Sequence, residues 1–186
     1  MTLRTPDQSL LASRSDLSEF YLTFSRYEFA LKATGFAKQT VRGAQIDWDK
    51  LARELGELEH LLTDRRAEIE ELLDRPPKRL NLVDNDQLKW QEDSPKPTWG
   101  PTRVFLYRVQ AVRNNLMHGS KFIDQESIDP QRETKLLASA VSALEIILNR
   151  LPNTKDAFNS AAPQQFIQFE AASQLGLIQA LGDELG

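Results

Sequence analysis

Apolar residues recur at intervals of three and four along most of this chain, and glycine and proline are scarce outside residues 75–101. Such spacing lines apolar side chains along one face of an α-helix, whereas a half-buried strand would alternate with a period of two. The pattern therefore predicts an all-α fold. We expect a four- to five-helix up-down bundle that is followed by a C-terminal helical appendage.

Four bundle helices can be placed from these stripes and from their end signals. Gly35 is the predicted stop of the first helix, and Asp129 is the predicted N-cap of the last, with Pro130 at its first position. The predicted spans are 15–34, 47–75, 102–118 and 129–151, with Pro152 ending the fourth helix. The domain plan is then a flexible N-terminus at 1–14, the bundle at 15–152 and the appendage at 153–186.

Residues 75–101 contain five prolines and no convincing helical pattern. Leu88 to Trp90 is predicted to be a short extended piece. The segment is long for a simple connection, and long connections in compact domains often have a functional role. It leads directly into the third helix, so we expect it to wall a site there.

Composition excludes several classes of chemistry. The chain has no cysteine, which excludes disulfides, thiolate metal ligands and cysteine nucleophiles, and its two histidines argue against a zinc site within one protomer. The N-terminus lacks the apolar segment of a signal peptide, and no run of about eighteen apolar residues occurs. We therefore expect a cytoplasmic protein without a membrane span and without a cofactor.

Charge is distributed unevenly along the chain. The net charge is −4, yet residues 94–123 contain no acidic residue and five cations, so the remainder sums to −9. A local cationic stretch in an acidic protein indicates a focused anion site rather than a broadly basic surface. The five cations are Lys96, Arg103, Arg108, Arg113 and Lys121.

The two histidines have different surroundings. His60 lies beside Glu57 and Glu59 in the second helix, where a solvated surface position is predicted. His118 lies at the C-terminal end of the third helix, where the helix dipole favours the imidazolium. Asn114 is four residues earlier and shares its face.

Arg113 precedes His118 by five residues, which is about 140° around an ideal helix. The two groups can converge through the long arginine side chain, through distortion of the last turn, or across a two-fold interface. A structural alternative is that Asn115 and His118 satisfy backbone carbonyls while Arg113 pairs with an acid from another helix.

The segment from Arg113 to Gly119, Arg-Asn-Asn-Leu-Met-His-Gly, resembles the Arg-(four to six residues)-His motif of HEPN domains, the "higher eukaryotes and prokaryotes nucleotide-binding" family. The similarity extends over about Leu17 to Pro152. The similar flanking segments are Phe24–Lys32, Ala44–Trp48, Pro76-Pro77, Gln87–Trp90 and the leucine-rich fourth helix.

The resemblance implies a bundle that forms a homodimer in which two motif helices face each other. Many such proteins are metal-independent endoribonucleases, some of them toxins or phage-defence effectors held by an antitoxin or another regulatory protein. Others bind nucleotide, RNA or a protein partner without cleaving. A third interpretation is a helical scaffold whose appendage mediates assembly.

Each chain supplies a single suitable histidine, His118, which favours a composite site because RNA cleavage by the 2′-hydroxyl needs both a base and an acid. Two copies of His118 would supply them, and Arg113 would bind the phosphate. Asn114 would orient His118 or the substrate, and Arg108 and Lys121 would extend the phosphate track. Glu28 has two interpretations: an ion pair with Lys32 one turn away, or a group that orients Arg113.

Overall fold

The computed structural model describes residues 15–41, 43–83, 87–92, 94–117 and 129–160. Over these ranges the chain is mostly helical, with two small antiparallel hairpins. The helices are α1 (Ser15–Leu31), α2 (Trp48–Leu55), α3 (Leu58–Leu62), α4 (Glu70–Asp74), α5 (Pro101–Met117), α6 (Pro130–Arg150) and α7 (Pro152–Asn159). A π-helical turn (Lys32–Phe36) follows α1, and a 3-10 helix (Thr63–Ile69) joins α3 to α4. The strands are β1 (Ala37–Thr40), β2 (Gly43–Ile46), β3 (Arg79–Val83) and β4 (Gln87–Gln91).

Helix α1 buries the predicted aromatic stripe. Phe20, Phe24, Tyr27 and Leu31 are between 0% and 1% exposed, and they pack in one core with apolar residues of α5 and α6. The chain leaves the helix at Gly35, whose φ of 93° suits a residue without a Cβ. Gly35 is therefore confirmed as the point where the chain turns, although the α-helix itself ends at Leu31 rather than at the predicted Thr34. The predicted start borders residues outside the described ranges and stays a prediction.

A short hairpin that the sequence pattern did not predict follows α1. Strands β1 and β2 pair from Ala37↔Ile46 to Thr40↔Gly43, and most of their side chains are exposed. Among the described residues from 36 to 46, Phe36 just before β1 and Ile46 at the end of β2 are buried, and they form the base of the hairpin. Strands of four residues with one apolar anchor leave no periodicity to detect.

The prediction of one continuous second helix is wrong. Gly56 has φ 73° and ψ −144°, which ends α2, and Thr63 has a positive φ at the end of α3. Gly56 turns its carbonyl toward α5, where it accepts a hydrogen bond of 2.6 Å from Thr102 Oγ1. The predicted apolar seam still faces the core, since the buried apolar residues in these segments are Leu51, Leu55, Leu61, Leu62, Ile69 and Leu72.

The proline-rich connection contains the second hairpin. The predicted extended piece at Leu88–Trp90 lies within β4, which pairs with β3 in the register Arg79↔Gln91 to Val83↔Gln87. This part of the prediction is confirmed, although β3 itself was not predicted. The hairpin contacts α5, so it lies beside the helix that carries the motif.

Helix α6 begins as its capping signals predict, and α5 begins at Pro101, one residue before its predicted start. Asp129 caps α6, because its Oδ1 accepts hydrogen bonds of 3.1 Å from the backbone N–H groups of Gln131 and Arg132. Most of the predicted core positions are buried, while Leu116 and Val141 are partly buried. Within the described residues, no helix is long and apolar enough to cross a membrane.

Pro152 ends α6 but also begins α7, which packs against α1. The hydroxyls of Thr34 and Thr154 are 2.8 Å apart, and Arg26 lies 5.0 Å from the ring centroid of Phe158. The predicted boundary at 152/153 therefore falls within packed structure, because α7 belongs to the bundle. The rest of the predicted appendage, 161–186, lies outside the described residues, as does the predicted flexible segment 1–14.

Capping of α2 by Asp47 gives a pH-dependent stability. The hydrogen bond from the Lys50 backbone N–H, 3.0 Å long, lowers the pKa of Asp47, and Lys38 nearby lowers it further. A lowered pKa means that this stabilisation is present above about pH 4 and is lost as the pH falls through the folded-state pKa. We expect Asp47→Ala to reduce the free energy of unfolding by about 1 kcal/mol at pH 7 and by less at pH 3.

Urea unfolding at the two pH values measures this difference. Asp47→Asn is the control, because asparagine keeps a capping oxygen but has no charge to titrate, so its effect should be smaller at pH 7. An equal loss for Asp47→Ala at both pH values would contradict the assignment.

Candidate functional site

The Arg113 guanidinium lies at the seam between α1 and α5 and has three neighbours. Its Nη2 donates to Glu28 Oε2 at 3.4 Å, and its Nη1 donates to Asn114 Oδ1 at 3.1 Å. Its carbon Cζ lies 5.9 Å from the ring centroid of Phe24. These contacts orient the guanidinium and use two of its five N–H donors, which leaves others for an anion.

Glu28 makes the cross-helix contact rather than an ion pair with Lys32. Its side chain is 25% exposed and that of Arg113 is 31% exposed, so the pair is only partly desolvated. Of the two interpretations of Glu28, the structure favours the one that sets it against Arg113. Whether the pair orients Arg113 for a substrate stays a prediction.

The structural alternative for the motif also has support. Asn115 Nδ2 donates to the Lys78 carbonyl at 2.7 Å, which ties α5 to the residue before β3. The Arg113–Glu28 pair is itself the contact with an acid from another helix that this alternative required. A structural role and an anion-binding role are compatible for Arg113, because its guanidinium is partly exposed and can contact both Glu28 and an anion.

Arg108 has a structural role that the sequence did not indicate. Its Nη1 donates to the carbonyls of Leu72 and Leu73 at 3.2 and 2.8 Å. These carbonyls lie at the C-terminal end of α4, where backbone acceptors lack partners within the helix. The predicted role of Arg108 on a phosphate track therefore stays a prediction beside this observed role.

The two remaining predicted site residues are His118 and Lys121. His118 and Lys121 lie outside the described residues, so the structure places neither. Helix α5 is described as far as Met117, the residue before His118. His60 is a surface residue, as predicted, with a side chain that is 82% exposed and Nδ1 3.6 Å from a Glu57 oxygen.

A small cavity lies beside the motif helix. It has a volume of about 20 Å³ and is lined by Asn115 and mainly by apolar side chains of α1, α5 and α6. This space fits one water molecule and excludes a nucleotide. The described residues also contain no group of three His, Asp or Glu side chains placed to hold a metal ion.

A cluster that the sequence analysis missed lies around the N-terminal half of α5. The Arg103 guanidinium lies 4.1 Å from the centroid of the Trp99 ring, and Trp99 packs edge-on against Tyr107 at 5.0 Å. Lys96 Nζ is 5.5 Å from the Trp99 centroid, and Arg79 donates to the Tyr107 hydroxyl at 2.9 Å. These five residues are called the cation–aromatic cluster below. The sequence signal for this cluster is its spacing, because Arg103 follows Trp99 by four residues and Tyr107 follows Arg103 by four.

Comparisons with protein-family models, with curated proteins and with solved structures gave no match to this chain.

A double-mutant cycle can test the coupling of Glu28 and Arg113. We expect Glu28→Gln and Arg113→Gln to show a coupling free energy of about 0.5–1 kcal/mol in urea unfolding, because the pair is partly desolvated and rests on an aromatic ring. The control is the Arg66–Asp74 pair, 3.5 Å apart and with both side chains more than half exposed. Its coupling should be smaller. Equal coupling in the two cycles would mean that the Glu28–Arg113 pair is an ordinary surface contact.

Proposed function

We propose that this chain is a HEPN-type endoribonuclease that cleaves RNA without a metal ion at a site shared by two copies of the chain. The observation that carries the proposal is the position of Arg113, which Glu28 and Phe24 hold at the surface of α1 and α5, next to Asn114 and five residues before His118. A phosphate needs a cation of this kind, fixed in orientation and partly exposed.

The reaction would be an in-line transfer within the RNA strand. One His118 imidazole removes the proton of the ribose 2′-hydroxyl, and the bond from O2′ to phosphorus forms as the bond from phosphorus to O5′ breaks. The His118 of the second copy protonates the leaving O5′ atom, which leaves a 2′,3′-cyclic phosphate and a free 5′-hydroxyl. Arg113 donates to the phosphate oxygens, where negative charge accumulates.

An exposed apolar stripe on α1 supports pairing of two chains. Leu22 and Phe29 are 56% and 51% exposed, and with Ser25 between them they follow the three-and-four spacing of one helix face. Tyr21, 43% exposed, lies two turns from Glu28 and so shares its side of the helix. A second copy seated on this stripe would lie beside the Glu28–Arg113 pair, which brings two sites together.

A second candidate function is a non-catalytic HEPN dimer that binds nucleotide, RNA or a protein partner. The observation that favours it is that Arg113 and Asn115 both have structural contacts that need no chemistry to explain them. RNA binding without any cleavage product would establish this function in place of the first. In either case we propose a cytoplasmic protein, and for the nuclease a toxin or phage-defence effector that is restrained by an antitoxin or regulatory partner.

The cleavage assay uses the full chain and single-stranded RNA in the presence of EDTA. We expect fragments with 2′,3′-cyclic phosphate ends, and a loss of rate of about a hundredfold or more in His118→Ala and in Arg113→Ala. His60→Ala is the matched control and should retain the parent rate, because His60 is a surface residue on another segment. Cleavage that persists unchanged in His118→Ala would overturn the assignment.

The dimer is tested by charge at the exposed stripe. We expect Leu22→Glu and Phe29→Glu to convert the dimer to monomer in sedimentation experiments and to reduce cleavage together, since each would bury a carboxylate in the interface. Leu82→Glu is the control, because Leu82 is 64% exposed but lies in the β3–β4 hairpin. A dimer that survives both α1 variants would place the interface elsewhere.

A further inference from the structure

The cation–aromatic cluster and the solvent-facing side of α5 form one continuous surface. Arg103, Tyr107 and Asn114 lie four and seven residues apart, with Gln110 between the last two, so their side chains share a helix face. These four residues are partly buried, and the Arg103 side chain is only 14% exposed, whereas Leu106, Val109 and Val112 turn into the core. The surface runs for about 16 Å along the helix, from Arg103 to Asn114.

Charge and ring chemistry along this surface favour one class of ligand. Proteins that bind single-stranded nucleic acid combine cations, which follow the phosphates, with aromatic rings and arginine planes, on which unpaired bases stack. The cluster supplies both from five residues, and the segment from Ser94 to Met117 brings no carboxylate to it. A duplex keeps its bases stacked inside, so it could use the cations but not the rings.

The carboxylates near the cluster limit where a phosphate could lie. Asp49 Oδ1 accepts from Arg103 Nε at 2.8 Å and partly neutralises that cation. Asp49, Glu57 and Glu59 all line an open groove of about 880 Å³ that Trp99 also lines. The strand backbone would therefore lie on the side of Lys96, while the groove has room for a base beside Trp99. Lys96 itself is exposed and has no carboxylate partner among the described residues.

We infer that the cation–aromatic cluster is a binding subsite for unpaired RNA bases, placed upstream or downstream of the phosphate at Arg113 on the same strand. The choice of RNA rests on the proposed function, but the stacking surface does not depend on cleavage. The protein would then prefer single-stranded over double-stranded RNA, and this preference would depend on Trp99.

The test measures binding on the full-length His118→Ala chain, so that the probe is not cleaved. A fluorescein-labelled single strand of about twelve nucleotides is titrated, followed by the same strand annealed to its complement. We expect the single strand to bind more tightly, and Trp99→Ala to weaken its binding by about tenfold or more while the duplex is affected little. Trp99→Phe keeps a ring and should restore most of the affinity.

Two further variants keep the test independent of folding. Lys96→Glu alters an exposed loop side chain and should weaken single-strand binding and reduce its salt dependence. Arg66→Ala removes a cation that pairs with Asp74, and it should leave binding unchanged. Parent affinity in Trp99→Ala would overturn the inference, as would parent affinity in Lys96→Glu or equal binding of single strand and duplex.

The outcomes separate this inference from the proposed function. Single-strand binding that depends on Trp99, in a protein whose wild-type form does not cleave RNA, would support the subsite and reject the nuclease. Cleavage that depends on His118 and Arg113 but is unchanged in Trp99→Ala would do the reverse. Tighter binding of single-stranded DNA than of RNA would keep the stacking surface and overturn the choice of RNA.

Discussion

The packing of one aromatic stripe on α1 is the contact on which the core and the candidate site both depend. Phe20, Phe24 and Tyr27 follow one another with ring centroids 5.8 and 5.9 Å apart, and all three are essentially without solvent exposure. Each buried ring contributes about 1.5–3 kcal/mol by removal from water alone. The Phe24 ring also lies beside the Arg113 guanidinium. Packing of the core therefore sets the position of this guanidinium.

Burial also gives the tyrosine of this stripe a purely structural character. Desolvation raises the pKa of Tyr27 far above its ordinary value, and the nearby charge of Glu28 raises it further. A hydroxyl that holds its proton so firmly cannot act as a general acid or base at neutral pH. The proposed reaction assigns proton transfer to His118, which lies outside the described residues.

The structure changes the meaning of the cationic stretch that the sequence shows. Arg108 caps the carbonyls of α4, Arg103 is paired with Asp49, and Arg113 is paired with Glu28. Both carboxylates come from segments outside 94–123, so the stretch has less free positive charge than its sequence suggests. Pairing has a compensating effect, because a guanidinium fixed by one carboxylate loses little conformational entropy when it binds a phosphate.

Local signals predicted the turn after α1 and the start of α6, and longer-range contacts determined the rest. Gly35 and Asp129 act through their own backbone and side chain, so their roles can be read from neighbouring residues. Gly56 breaks the second predicted helix in order to meet Thr102, which is forty-six residues away, and no local pattern encodes that contact. For the same reason, the sequence leaves two interpretations of Glu28 open, a pair with Lys32 and a pair with Arg113. The stacking of Arg79 on Tyr107 depends on a hairpin whose first strand alternates polar and apolar residues over only four positions, Arg79 to Leu82.

These contacts together suggest how a small bundle can offer a phosphate site at its surface. The Arg113–Glu28 pair is only partly desolvated and uses one guanidinium nitrogen, so other N–H groups of Arg113 can donate to phosphate oxygens while Glu28 stays in place. A single copy leaves that position open to water, which weakens every charge interaction made there. A second copy that covers the exposed stripe of α1 would exclude water, strengthen the interaction between guanidinium and phosphate, and supply the second imidazole in the same step. Dimerisation and activation of the site would then be one event.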